Sequence, residues 1–248
     1  MNSIPSIDLS DFISDDSSRK QKFVDAIGKA YEEIGFVALK GHFLNDALVE
    51  NLYTEVKNFF SLPTETKRKY EIPGIGGQRG YVSFGKESAK GKKEGDLKEF
   101  WHFGQYVDDN AKLKSEYPDN VTVNELPGFN KIGKETYQML EKTAKYVLRA
   151  LALHLDLEET YFDNYIHNGN SILWLDAIAE PNELMINVGD MLSRHTNNKL
   201  KSTIHRVVNP PKELWGTSRY SIPFFMHPIS EMKLDVLEGC IDENNPKQ

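Results

Sequence analysis

A mainly β fold with flanking helices is the fold class this sequence predicts. Three observations predict it. Apolar residues recur at helical spacing in two early stretches and again over 132–155. Beyond residue 170 that period gives way to short strand-like runs rich in β-branched and aromatic residues. Glycine, proline and asparagine punctuate the runs where the chain must turn.

The elements follow in order. Ile4-Pro-Ser-Ile-Asp-Leu starts as a strand. Phe23, Ile27, Ala30, Tyr31 and Ile34 mark one face of a helix, with Ser17 or Ser18 as its cap and Gly35 as its stop. Phe36 to Lys40 is a strand. Asn45 caps a second helix that carries Leu48, Leu52, Val56 and Phe59, Leu62-Pro63 ends it, and Thr64 to Tyr70 adds a helical turn or two. Gly80 to Gly85 and Lys98 to Gly104 are strand and turn pieces. The helix from about Ile132 to Leu155 has Leu140, Val147, Leu148 and Leu151 on its core face. Four strands follow, at 171–174, 183–188, 202–208 and 219–225, with Asn197-Asn198 as a turn.

The bulk numbers exclude several function classes. A chain of 248 residues with 39% hydrophobic content can bury a sizeable core. The net charge of −7 argues against a nucleic-acid partner, since phosphate binding wants a basic surface. The basic stretch Lys86 to Lys98 is broken by Glu87, Glu94 and Asp96 and reads as a solvated loop. Cys240 is the one cysteine, so neither an internal disulfide nor a cysteine-based zinc site is expected, which fits a reducing compartment. The first ten residues lack the basic and apolar regions of a signal peptide, and no apolar run approaches a membrane span. The expectation is a cytoplasmic protein with no membrane partner.

Gly74, Gly76, Gly77 and Gly80 invite a phosphate-loop reading. No buried strand precedes them, no apolar helix follows, and no Gly-Lys-Ser/Thr occurs, so that reading is rejected. Neither Gly-x-Ser-x-Gly nor His-Glu-x-x-His is present, which leaves hydrolase readings without support. Late in the chain, His205 is followed by Arg219-Tyr-Ser221 on a strand-like stretch.

Several stretches, in order, resemble the isopenicillin N synthase-like group of Fe(II)- and 2-oxoglutarate-dependent dioxygenases. Early ones are Gly35-Phe-Val-Ala-Leu-Lys-Gly-His, Phe59-Phe-Ser-Leu-Pro and Gly80-Tyr81. Late ones are Leu184-Met-Ile-Asn-Val-Gly-Asp, Lys201-Ser-Thr-Ile-His205-Arg-Val and Arg219-Tyr-Ser221-Ile-Pro-Phe-Phe. The resemblance implies a double-stranded β-helix, or jelly roll, with residues 1–110 as an N-terminal region and 111–248 as the long helix plus the jelly roll, one compact catalytic unit. It implies an oxidoreductase that couples conversion of 2-oxoglutarate to succinate and CO2 with oxidation of a small molecule by O2. Hydroxylation, desaturation and ring closure are all open. It also implies roles. His205 would be an Fe(II) ligand, Arg219 and Ser221 would hold the far carboxylate of 2-oxoglutarate, and Tyr81 and Phe225 would line the substrate pocket. The chemistry suits these roles. Imidazole is a good Fe(II) ligand, and a guanidinium fork and a hydroxyl two residues apart on a strand face the same way toward a carboxylate.

One departure stands out. The group's His-x-Asp is expected between the long helix and Glu183, but Ser171-Ile-Leu173 runs directly into Trp174-Leu-Asp. A block of several dozen residues is missing at the Leu173/Trp174 seam, and the jelly roll is therefore expected to be incomplete. His154-Leu155-Asp156 lies at a helix end, where residues two apart do not share a face, and reads as a decoy. Asp176 and Asp190 are the other carboxylates near the matching region, and Asp190 reads as structural, as does His195. His102, beside Trp101 and Phe103, reads as core or pocket wall. The alternative function is a non-catalytic relative that keeps the fold without the iron.

Overall fold

The computed structural model describes residues 3–84, 86, 98–107, 112–175, 183–205 and 220–247. Strand β1 (Ser6–Asp8) runs into a one-turn helix α1 (Leu9–Phe12), which is too short to show periodicity in the sequence. Helix α2 (Ser17–Glu33) is capped by Asp16 rather than by Ser17 or Ser18. The Asp16 carboxylate accepts the backbone N–H of Ser18 and Arg19 at 2.8 and 3.2 Å and meets the positive end of the helix. Gly35 stops α2 with φ +80°, and a Cβ there would lie 2.2 Å from the Lys201 carbonyl oxygen.

Strand β2 (Phe36–Lys40) leads to α3 (Asp46–Phe60), whose cap Asn45 accepts Leu48 N–H at 2.8 Å, and then to α4 (Thr64–Arg68). Strands β3 (Gly80–Val82) and β4 (Phe100–Gly104) follow. Helix α5 (Pro127–His154) starts at Pro127 rather than near Ile132, because the first turn does not need the N–H that proline lacks. The chain continues through α6 (Asp163–Ile166), β5 (Ile172–Leu175), β6 (Leu184–Asn187), α7 (Asp190–His195) and β7 (Phe224–Phe225).

Two sheets result. In the first, β2 pairs parallel with β1 and antiparallel with β6. The second is antiparallel in the order β3-β4-β5-β7. Each sheet joins strands from before and after α5, so the regions 1–110 and 111–248 are interleaved. The sheet framework with flanking helices is present, although the described helices hold more residues than the strands. The strand expected at 202–208 does not form over 201–205, and its remainder lies outside the described residues. Of the strand expected at 219–225, residue 219 lies outside the described residues, and over 220–225 only Phe224–Phe225 is assigned as strand.

Two apolar clusters form the core. One gathers α1, α2, β2 and the C-terminal half of α5 around Phe23, Ile27, Tyr31 and Leu151. The other gathers α3, the second sheet and the N-terminal half of α5 around Phe59, Trp101, Phe103 and Phe129. Helix α5 is common to both.

Candidate active site

The register of the second sheet sorts its side chains. Tyr81 opposes Trp101, and Trp101 opposes Leu175, so these three share the face that packs on α3 and α5. Phe100, His102 and Gly104 share the other face with Ile172 and Trp174 of β5, and Phe225 joins them as the partner of Ile172. The ring centroids of Phe100, His102 and Trp174 lie within 4.9 Å of one another in tilted and edge-on contacts, and those of Trp174 and Phe225 lie 6.0 Å apart. His102 donates from Nδ1 to the Gly77 carbonyl at 2.6 Å, which draws the glycine-rich loop over this face.

Tyr81 and Phe225 therefore lie on opposite faces and do not wall one cavity. Tyr81 is 2% exposed, its hydroxyl is spent on Glu99, and the Lys67 ammonium lies 5.6 Å from its ring centroid. Lys67 itself is buried and bonds both Glu99 oxygens at 2.9 and 2.7 Å. Tyr81 thus belongs to a buried ionic cluster, whereas Phe225 is exposed at the open end of the aromatic face.

His205 is exposed at the end of a described stretch, with its ring edge on Phe36 at 5.2 Å. Its Nδ1 donates to the Thr203 carbonyl at 3.0 Å, so Nε2 carries the lone pair. Ser221 is half-buried. No described contact joins it to His205. Arg219 and Asp176 lie outside the described residues. Asp190 accepts the Ser202 hydroxyl at 2.6 Å, in keeping with a structural role.

All seven histidines are described, and the other six are engaged elsewhere or stand apart. His154 contacts Glu32 at 3.0 Å, while Asp156 adopts φ +57° past the helix end, so His154-Leu155-Asp156 is not a metal pair. His195 is buried against Tyr161 and Phe162, which holds its pKa below the ordinary imidazole value by desolvation. His227 stacks on Phe225 and reaches the Asn170 carbonyl at 3.2 Å. His42 is half-buried, and burial lowers its pKa as well. His167 is exposed. Among the described residues no three His, Cys, Asp or Glu side chains are grouped to hold a metal ion. His205 has the tautomer an iron ligand needs, but the described residues do not complete a three-ligand iron site.

Sequence reasoning passed over one residue on the aromatic face. Arg79 has no solvent exposure and lies against Gly104, where a Cβ would sit 1.7 Å from its Cζ. The signal available was Arg-Gly-Tyr closing a glycine-rich loop, which periodicity does not weigh.

Comparisons with known proteins converge on one family. Residues 4–125 match the family described as non-haem dioxygenase in morphine synthesis N-terminal. Residues 151–228 match the 2OG-Fe(II) oxygenase superfamily. A crystal structure of a 2OG-Fe(II) oxygenase family protein from Caulobacter crescentus is 33% identical, with a TM-score of 0.88 over 100% of this chain and 94% of that one. A 2-oxoglutarate-Fe(II) type oxidoreductase, hxnY, of Emericella nidulans is 26% identical over 95% of this chain and 82% of its own length. That alignment runs to 294 positions against 248 residues here, so at least 46 of its positions have no counterpart in this chain. A full-length Neurospora crassa protein crystallised in complex with alpha-KG shares the fold, with a TM-score of 0.80 at 24% identity over 99% of this chain and 91% of that one. The jelly roll is the fold of these oxygenases.

Proposed function

The chain belongs to the 2OG-Fe(II) oxygenase superfamily, and with it to the Fe(II)- and 2-oxoglutarate-dependent oxidoreductases, and from that premise we propose how its own residues serve the reaction. His205 is the C-terminal iron ligand. The observation that carries this is the Nδ1–H bond to the Thr203 carbonyl, which fixes the ring and leaves Nε2 for a metal. Arg219 and Ser221 take the far carboxylate of 2-oxoglutarate, the guanidinium as a permanent forked donor and the hydroxyl as a second. The face carrying Phe225, Trp174 and His102 receives a small molecule, with Phe225 at its rim and Tyr81 behind the sheet. We place the chain in the isopenicillin N synthase-like group and in the cytoplasm. The ordered motif series supports the first, and the single, buried Cys240 supports the second.

A second reading is a relative that keeps the fold without retaining iron. The lack of a three-ligand group among the described residues favours it, as do the alignment positions without counterpart. Anaerobic titration with Fe(II) and 2-oxoglutarate separates the two, since a bound chelate gives a weak visible charge-transfer band. His205→Ala is expected to abolish iron retention, and Arg219→Ala to raise the 2-oxoglutarate requirement. Iron content unchanged in His205→Ala would remove the ligand assignment. The same titration on a chain with a family segment inserted at the Leu173/Trp174 seam tests whether that block carries the remaining ligands.

A further inference from the structure

Arg79 is an anomaly by ordinary burial rules. A guanidinium keeps its charge, and buried charges are normally paired. Arg79 is 0% exposed, yet its Nε and Nη2 have no hydrogen-bond partner, and only Nη1 is used, donating to the Gln78 carbonyl at 2.7 Å. Its ionisable neighbours are the phenols of Tyr137, Tyr106 and Tyr117, and no carboxylate among the described residues pairs with it. Burial pushes its pKa below the ordinary guanidinium value. One of these phenols and a tryptophan on the same face of the sheet share the condition. Tyr117 Oη and Trp174 Nε1 are buried without partners.

The surroundings are built for this side chain. Gly104 leaves the space that the guanidinium fills. Gly104 opposes Ile172, and Ile172 opposes Phe225, all on one face of the sheet. Two strand spacings separate Gly104 from Phe225, roughly 10 Å. Donors therefore stand at one end of a line, an exposed phenylalanine at the other, and apolar or aromatic side chains lie between and beside them.

We propose that Arg79 anchors the carboxylate of the prime substrate, which is a small carboxylic acid whose apolar body lies along Ile172 toward Phe225. The proposal rests on the oxygenase reading above for the word substrate, and deepens it by naming a substrate class. The anion supplies the missing counter-charge, and Nε and Nη2 offer it a forked pair of donors. Arg219 and Ser221 are left to the co-substrate.

The test uses 3-phenylpropionate and its amide, 3-phenylpropionamide, as probes. Binding to the full chain is measured by calorimetry with 2-oxoglutarate saturating, so that its own anchor is filled. The acid is expected to bind at least about tenfold more tightly than the amide. Arg79→Gln is expected to erase that preference, and Arg219→Ala to leave it intact while weakening 2-oxoglutarate. Equal affinity for acid and amide in the unaltered chain, or a preference that survives Arg79→Gln, overturns the proposal. So does loss of 2-oxoglutarate binding in Arg79→Gln, which would make Arg79 the co-substrate's anchor. If Arg79→Gln fails to fold by near-UV circular dichroism, the acid-to-amide ratio in the unaltered chain decides alone. Failure of the Arg219 assignment shows separately, as 2-oxoglutarate affinity unchanged in Arg219→Ala.

Discussion

Arg149 on α5 holds Asp163, the first residue of α6, through two charge-assisted bonds. Nε reaches Oδ1 at 3.1 Å and Nη2 reaches Oδ2 at 2.6 Å, with Lys145 Nζ at 3.0 Å from Oδ2. These contacts, led by the Arg149 bond, hold the Asp163 carboxyl below the ordinary aspartate value. A carboxyl with a depressed folded-state pKa adds stability above its unfolded value and loses that contribution as pH falls through the folded one. Asp163→Asn is therefore expected to cost about 1–2 kcal/mol at neutral pH. The gap to the unaltered chain should begin to narrow below about pH 4 and close as the pH falls through the lower folded-state value. Urea unfolding midpoints at pH 7, 5 and 3.5 check this, and a gap independent of pH would contradict it. At the same scale, residue identity alone was a mixed guide to roles. His205 and Ser221 were singled out because an imidazole and a hydroxyl in a known motif suggest their chemistry, and their roles stay proposals. Arg79 was not, because the Arg-Gly-Tyr that closes the glycine-rich loop carries no periodicity to mark a buried side chain.

Helix α5 shows what elements contribute. Its face alternates between side chains that fill the core and a glycine that admits one. Gly133 receives Phe103 of β4, and a Cβ there would lie 2.3 Å from that ring. Phe103 is 1% exposed and packed against Phe129 and Trp101, so it cannot retreat. Gly133→Ala is expected to destabilise by about 1–3 kcal/mol through overpacking, despite the better helix propensity of alanine. Gly128, in the first turn of the same helix, meets only the flexible end of Glu55 at 3.0 Å. Gly128→Ala should be neutral or stabilising by under about 1 kcal/mol. Denaturant midpoints of the pair make the comparison, and equal effects would show that the Phe103 contact does not matter. Helices α2, α3 and α5 were readable because their periodicity is long. The ends were less so. Asp16 took the cap from the serines, and Pro127 started α5 early, because capping depends on one side chain meeting one backbone N–H.

For the molecule as a whole, α5 is the link between two apolar clusters. Val147, Ala150 and Leu151 pack in the first, and Phe129, Tyr137 and Leu140 in the second. Both sheets also cross from one half of the chain to the other. Unfolding is expected to be a single cooperative step. Tryptophan fluorescence, which includes Trp101 in the second cluster, should superimpose on the far-ultraviolet dichroism of the helices during urea titration. Two separated midpoints would show that the clusters fold independently.

The sequence by itself determined helices α2 to α5, most of the short strands, the family and the presence of the motif with His205, Arg219 and Ser221, because each of these is written in residues close together along the chain. Only the tertiary structure decided that Tyr81 and Phe225 stand on opposite faces of one sheet and that Arg79 is buried against Gly104. Those outcomes depend on strand register between segments far apart in the chain, such as Phe103 with Leu173. A shift of one residue in that register would turn every side chain of the strand to the other face.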